Sequence, residues 1–238
     1  MRIISRLDIK NEFVIKGINL EGLRKIGDPL KLAKKYYSEG VDEIIFIDSV
    51  ASLYSRNNLF HILEKTVEEV FDPITLGGGI RSLKDISKAL TSGADKVSIN
   101  SYATENPDFI KKAVKEFGSS TITIYIEAKK IGEKKWEIYK YYGREKTGID
   151  LKQWINKIQD YDCGEILLTS IDYEGLQKGF DIELLDEVCN LIDKPLIFSG
   201  GCGSAKDVNF IKKNYPNISL SIASAFHYNK IVPYKIKS

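Results

Sequence analysis

Eight short β-branched runs, separated by longer amphipathic stretches, leave this chain few folds to choose from. The runs are 2–8 (RIISRLD), 43–48 (EIIFID), 73–77 (PITLG), 96–100 (KVSIN), 121–127 (TITIYIE), 165–170 (EILLTS), 195–199 (PLIFS) and 219–224 (SLSIAS). Helical patterns fill most gaps, as in DPLKLAKKYYSEG, NLFHILEKTVEEV and NPDFIKKAVKEFG. Strand alternating with helix predicts parallel pairing. Eight such units in 238 residues suit an α/β fold of the (β/α)8 TIM-barrel type, usually about 250 residues long. Start to start, the first four runs lie 41, 30 and 23 residues apart and the last four 44, 30 and 24. Motifs repeat in the same register: LDIK (7–10) with IEAK (126–129), DPITLGGGIRSLKD (72–85) with KPLIFSGGCGSAKD (194–207), and SINS (98–101) with SIAS (221–224). The expectation is one barrel domain over 1–238 with a two-fold half-barrel repeat, its halves about 1–118 and 119–238. A doubly wound open sheet is the alternative, but it does not require the repetition.

Bulk composition narrows the function class. Hydrophobic residues make up 43% of the chain, and 35 basic residues face 33 acidic ones with the signs interspersed. No one-signed face for nucleic acid or a membrane surface emerges. The start, MRIISRLDIKNE, lacks a signal-peptide core, and no apolar run approaches the roughly 20 residues that cross a bilayer. Cys163, Cys189 and Cys202 form no CxxC pair, which predicts free thiols. A soluble cytoplasmic protein is expected.

The working face of such a barrel is the C-terminal end of its strands. Gly77, Gly78 and Gly79 follow the third run, and Gly200, Gly201 and Gly203 follow the seventh. Glycine lets backbone N–H groups approach a phosphate, and a following helix start adds partial positive charge. Asn100 and Ser101 after the fourth run, and Ala223 and Ser224 after the eighth, complete two cups. Glycines at strand ends also serve tight turns alone, but the duplication favours an elongated ligand with a phosphate at each end. The same repeat sets Asp8 opposite Glu127, at the ends of the first and fifth runs. A solvated strand-end acid is the plain reading of either one. As a facing pair between two phosphate cups they suit general acid–base work.

The motifs RLDIKNEFVIKG, GDPLKLAKKYYSEGVDEIIFID, LGGGIRS, GADKVSINS, ENPDFI, TGIDL, GEILLTSID and SGGCG make the chain resemble the cyclase-subunit family of imidazole glycerol phosphate synthase. The resemblance implies a (β/α)8 barrel that pairs as a heterodimer with a glutaminase subunit. Ammonia made by that partner passes through the barrel and reacts with an open-chain bis-phosphorylated ribulosyl substrate, giving imidazole glycerol phosphate and a carboxamide ribotide. By position, the resemblance makes Asp8 one of two catalytic acids and Lys16 a substrate-side lysine on a mobile loop. It puts Gly79, Asn100, Ser101, Gly175, Gly201, Ala223 and Ser224 at the phosphates, with Gly78 and Gly200 in the same turns, and Thr169 and Glu174 on the substrate side. It implies an ammonia gate of Arg2, Glu43, Lys96 and Glu165, and a partner-interface role for Asp95. The gate residues begin strands and alternate in sign, so a purely structural salt-bridge cluster is the other reading. No cofactor and no metal are implied.

Three departures from the family pattern stand out. Glu127 stands where the second catalytic aspartate is usual; its unperturbed pKa is similar, about 4.3 against 3.9, but its reach is one methylene longer. Glu174 also replaces an aspartate, with Leu176 where a small hydroxyl residue is usual. The chain ends FHYNKIVPYKIKS, with little room for the usual last helix. An intact gate with an edited substrate side also fits an alternative: a second-copy paralogue that delivers ammonia, with a glutaminase-like partner, for amino-sugar amidation in surface-polysaccharide pathways, without true cyclase activity. A related sugar-isomerase barrel is a third reading, which the long IKNEFVIKGINLEGLRKIGDP loop and the GEILLTSID strand disfavour.

Other residues carry less. His61 and His227 read as packing or surface histidines, Trp154 as helix core, and Cys202 as a small residue in a glycine loop. The KKWEIYKYYGREK stretch reads as a small hairpin after the fifth strand, its Trp136 and tyrosines either lidding the substrate or packing on the barrel.

Overall fold

The computed structural model describes residues 1–51 and 59–237; Asn58, which opens one expected helical pattern, lies outside the described residues. Its strands are β1 (Ile3–Lys10), β2 (Phe13–Ile18), β3 (Glu21–Gly27), β4 (Glu43–Asp48), β5 (Ile74–Gly77), β6 (Lys96–Ile99), β7 (Ile122–Gly132), β8 (Lys135–Lys140), β9 (Glu145–Asp150), β10 (Glu165–Ser170), β11 (Leu196–Ser199) and β12 (Ser219–Ile222). Eight of them pair in parallel in the order β10, β11, β12, β1, β4, β5, β6, β7, and β7 pairs back onto β10 to close the barrel. Closure leaves these eight strands no free edge. All eight expected runs are therefore strands of one closed sheet.

Two additions interrupt the strand–helix alternation, and both lie over the C-terminal mouth. β2 and β3 form an antiparallel hairpin on β1, where the sequence read as a long loop. The tight turn at Asn19 and Leu20, both with left-handed φ (53° and 63°), supplies the twist that hairpin strands need. β7 runs on to Gly132, beyond the expected end at Glu127, because β8 and β9 extend the sheet beside it. Trp136 of β8 is 2% exposed and packs into the core, so this tryptophan serves packing. Cutting such a side chain to alanine costs about 3–5 kcal/mol.

Side chains alternate along each strand, and that alternation sorts β1 into two surfaces. Ile3, Leu7 and Ile9 point outward into the layer shared with the helices. Ile4 joins Ile45, Leu167 and Ile197 in a second cluster inside the barrel, on the same face as Arg6 and Asp8. The helices begin at local signals: Asp28 caps Pro29–Ser38, Asp150 caps Leu151–Gln159, and Asp181 caps Ile182–Val188. Capping boxes Ser82–Asp85 and Ser204–Asp207 start helices Leu83–Thr91 and Ala205–Asn214. The last segment holds two short helices, Ser224–His227 and Tyr234–Lys237. Trp154 is helix core and His227 is buried, while His61 is exposed. Among the described residues no helix is long and apolar enough to cross a membrane.

Candidate active site

Asp8 and Glu127 end the inward faces of β1 and β7 and are both fully buried. They are joined through two residues that sequence reasoning passed over. Arg6 donates from Nε to Asp8 Oδ1 (2.8 Å), from Nη1 to Thr169 Oγ1 (2.8 Å) and from Nη2 to the Tyr125 hydroxyl (2.8 Å). Tyr125 in turn donates to Glu127 Oε1 (2.9 Å), and the Gly143 backbone N–H donates to Oε2 (2.9 Å). The chain Asp8–Arg6–Tyr125–Glu127 thus spans the mouth. The missed signal was strand periodicity: Arg6 lies two before Asp8, and Tyr125 two before Glu127, so each shares its acid's face.

The two carboxyls sit in opposite electrostatic settings. Burial alone would raise Asp8, but the charges of Arg6 and Lys16 and their hydrogen bonds outweigh it and hold Asp8 below the usual carboxylate range. For Glu127 burial prevails over its hydrogen bonds and the more distant Arg6, and its pKa is raised. Lys16 lies not on an open loop but in β2, 2% exposed. Its Nζ donates to Asp8 Oδ2 at 3.2 Å and pairs closely with Glu174. Burial favours neutral lysine, but Glu174 and Asp8 together raise its pKa, so it stays charged. The hairpin is pinned there: Asn19 Nδ2 donates to the carbonyls of Ile171 (3.1 Å) and Asp172 (2.9 Å). Gly17 passes so close that a Cβ on Gly175 would lie 2.1 Å from its carbonyl oxygen.

The two glycine turns form two recesses flanking this centre. The first is lined by Asp48, Gly78, Gly79, Ser98, Asn100, Ser101, Glu127 and Tyr142, the second by Glu174, Gly175, Gly200, Gly201, Ser221, Ala223 and Ser224. Gly78 has φ 91°, and a Cβ there would meet the Asp48 carbonyl oxygen at 2.3 Å, so only glycine fits. Among the described residues, buried oxygens of Ser98, Asn100 and Tyr142 at one recess, and of Ser221 and Ser224 at the other, have no hydrogen-bond partner. Unpaired polar atoms at such a density suit a polar ligand. The helix starts differ from expectation. Those after the glycine turns are satisfied by their own Ser–Asp capping boxes. The helix starts at Asn100 and Ala223, beside the two recesses, have no side-chain cap.

At the opposite end of the barrel Arg2, Glu43, Lys96 and Glu165 form a closed ring of alternating charge. Arg2 reaches Glu43 (2.9 Å) and Glu165 (2.6 Å), and Lys96 reaches the same two acids (2.8 and 3.0 Å). Glu43 also accepts from Thr75 Oγ1 (2.7 Å). Asp95 lies at this end, exposed, with Oδ2 accepting the Ile74 N–H at 2.8 Å. Among the described residues no group of three or more His, Cys, Asp or Glu is placed to hold a metal. Cys202 is buried, and burial raises its pKa.

Comparison with known proteins identifies the family. Residues 2–232 match the family described as "Histidine biosynthesis protein". The chain is 49% identical over 209 residues to the imidazole glycerol phosphate synthase subunit HisF of Legionella pneumophila, covering 88% of this chain and 99% of that one. It is 44% identical over 237 residues to the HisF subunit of Lactococcus lactis subsp. cremoris (strain MG1363), covering 99% and 92%. The HisF subunit of Bacillus cereus (strain Q1) is 43% identical over 230 residues, covering 96% and 91%. Matched from its second residue nearly to its end, the chain belongs to the histidine biosynthesis protein family.

Proposed function

We propose that the chain is the cyclase subunit of an imidazole glycerol phosphate synthase, and that it uses ammonia from a glutaminase partner on a bis-phosphorylated ribulosyl substrate. The observation that carries this reading is the unequal carboxyl pair between two recesses. Asp8, kept ionised by Arg6 and Lys16, takes a proton from the attacking nitrogen. Glu127, with its raised pKa, gives a proton to the departing oxygen. An acid and a base whose surroundings push their pKa values apart divide the two roles between them. The phosphates occupy the Gly78–Gly79 and Gly200–Gly201 recesses, where the hydroxyls of Ser98, Ser221 and Ser224 have no partner among the described residues. Ammonia enters past the Arg2–Glu43–Lys96–Glu165 ring. The partner docks on that end, where the side chains of Met1, Phe71 and Tyr234 are exposed at 42%, 76% and 59%. Purified protein given the bis-phosphate and an ammonium salt at alkaline pH is expected to form imidazole glycerol phosphate. A folded protein that forms none contradicts the reading.

One observation favours a second reading, an ammonia-delivering paralogue serving amino-sugar amidation. Both Asp8 oxygens are already engaged, by Arg6 and Lys16, and Glu127 carries an extra methylene. That reading predicts a stable complex with a glutaminase-like protein, glutamine hydrolysis coupled to it, and no imidazole product.

A further inference from the structure

The turn joining β8 to β9 holds three consecutive residues in the left-handed region: Tyr141 (φ 55°), Tyr142 (φ 61°) and Gly143 (φ 71°). Glycine adopts that conformation freely, but two bulky aromatic residues in succession do so only when their surroundings impose it. Both sides of Tyr142 are anchored. The Tyr141 N–H donates to Ser101 Oγ at 3.0 Å, and the Gly143 N–H donates to Glu127. The Tyr141 hydroxyl reaches outward to Glu105 (2.5 Å). Tyr142 therefore turns the other way, over the mouth. Tyr142 is 6% exposed and joins Leu20, Ile47 and Tyr125 in the apolar cluster inside the barrel, and its hydroxyl is buried with no hydrogen-bond partner among the described residues. Tyr142 lines the same recess as Glu127, Asn100 and Ser98. A residue serving packing alone would need no hydroxyl there, because an unmet buried donor is a cost that phenylalanine avoids.

We propose that Tyr142 is a substrate-binding residue, whose hydroxyl donates a hydrogen bond to an oxygen in the open-chain part of the phosphorylated sugar, between the Gly78–Gly79 recess and the carboxyl pair. This rests on the proposed function for the identity of the ligand. Burial above all, with Asp8, Glu174 and Tyr125, pushes the phenol's pKa up against Arg6, so it is a protonated donor at neutral pH. The turn is strained because it serves two ends: Gly143 fixes Glu127, and Tyr142 meets the ligand beside it.

Tyr142→Phe separates this role from a structural one. In the free protein the hydroxyl has no partner among the described residues, so the variant is expected to keep or slightly raise the Tm. Calorimetric affinity for the bis-phosphorylated ribulosyl substrate, and kcat/KM with ammonium, are expected to fall about tenfold, the weight of one hydrogen bond to a ligand. Unchanged affinity, or a Tm that falls clearly, overturns the assignment. The binding arm stands apart from the reaction: a wild-type protein that binds the substrate without cyclising it, and a variant that binds it more weakly, would sink the cyclase reading and leave Tyr142 in its role. A wild-type protein that does not bind the substrate overturns both.

Discussion

Arg6 and Asp8 sit two residues apart on one strand and form a fully buried ion pair, Nε to Oδ1 at 2.8 Å. A guanidinium in the barrel interior is stable only because its fork is met on three sides, by Asp8, Thr169 and the Tyr125 hydroxyl. Two of these bonds, to Tyr125 and Thr169, tie β1 to β7 and β10 just beneath the mouth, and Arg6 also lies 5.0 Å from the Tyr125 ring centroid. On the proposed function, structure and proton chemistry therefore share one residue. Replacing Arg6 by Met leaves Asp8 with Lys16 alone, and it is expected to lower stability by about 3 kcal/mol, measured by urea unfolding. The acidic limb of the kcat/KM profile is expected to move to higher pH, because the main group holding the Asp8 pKa down is gone.

Glu127 is fitted to its extra methylene. Its two oxygens reach the Tyr125 hydroxyl and the Gly143 N–H, each at 2.9 Å, and a shorter side chain withdraws from both. Glu127→Asp is expected to lower kcat on the order of 100-fold in the ammonium-supported reaction. An increase would instead favour the paralogue reading.

The charge ring should govern ammonia supply rather than ring closure. Lys96 bridges Glu43 and Glu165 at the end away from the carboxyl pair. Lys96→Met is expected to depress the glutamine-dependent reaction of the complex while sparing the ammonium-dependent one. The ratio of the two rates measures it, and an equal loss in both would place Lys96 in the chemistry instead.

His227 makes the fold sensitive to acid. Burial, with the nearby Lys16 charge, lowers its pKa to about 3, and Nδ1 lies 2.6 Å from the Tyr36 hydroxyl. The unfolded chain takes up a proton at this histidine below about pH 6.5 while the folded one does not. Its contribution to stability is therefore lost as pH falls from there towards 3, at up to about 1.4 kcal/mol per pH unit. His227→Gln is expected to flatten that part of the stability profile, followed by urea unfolding across the range.

The barrel was legible because β-branched runs, glycine turns and capping residues are local signals that point the same way. The facing acids followed from the internal repeat. Arg6 and Tyr125 were legible in principle, through their two-residue spacing from Asp8 and Glu127, but a basic residue inside a strand reads first as an outward one. The β2–β3 hairpin was hidden because its turn sets Leu20 at a left-handed φ, where asparagine or glycine is the usual signal. Tyr142 could not be placed at all, since its direction depends on a turn held by Ser101 and Glu127, 41 and 15 residues upstream of it in the sequence.

The most direct test of the central claim compares ammonium-supported formation of imidazole glycerol phosphate by the wild-type protein, Asp8→Asn and Glu127→Gln. If the two carboxyls are the acid–base pair, the wild-type protein turns over and each variant loses about 10²–10⁴-fold in kcat while still binding the bis-phosphate. Product formation that survives both substitutions, or a folded wild-type protein that binds the substrate and never closes the imidazole ring, contradicts it.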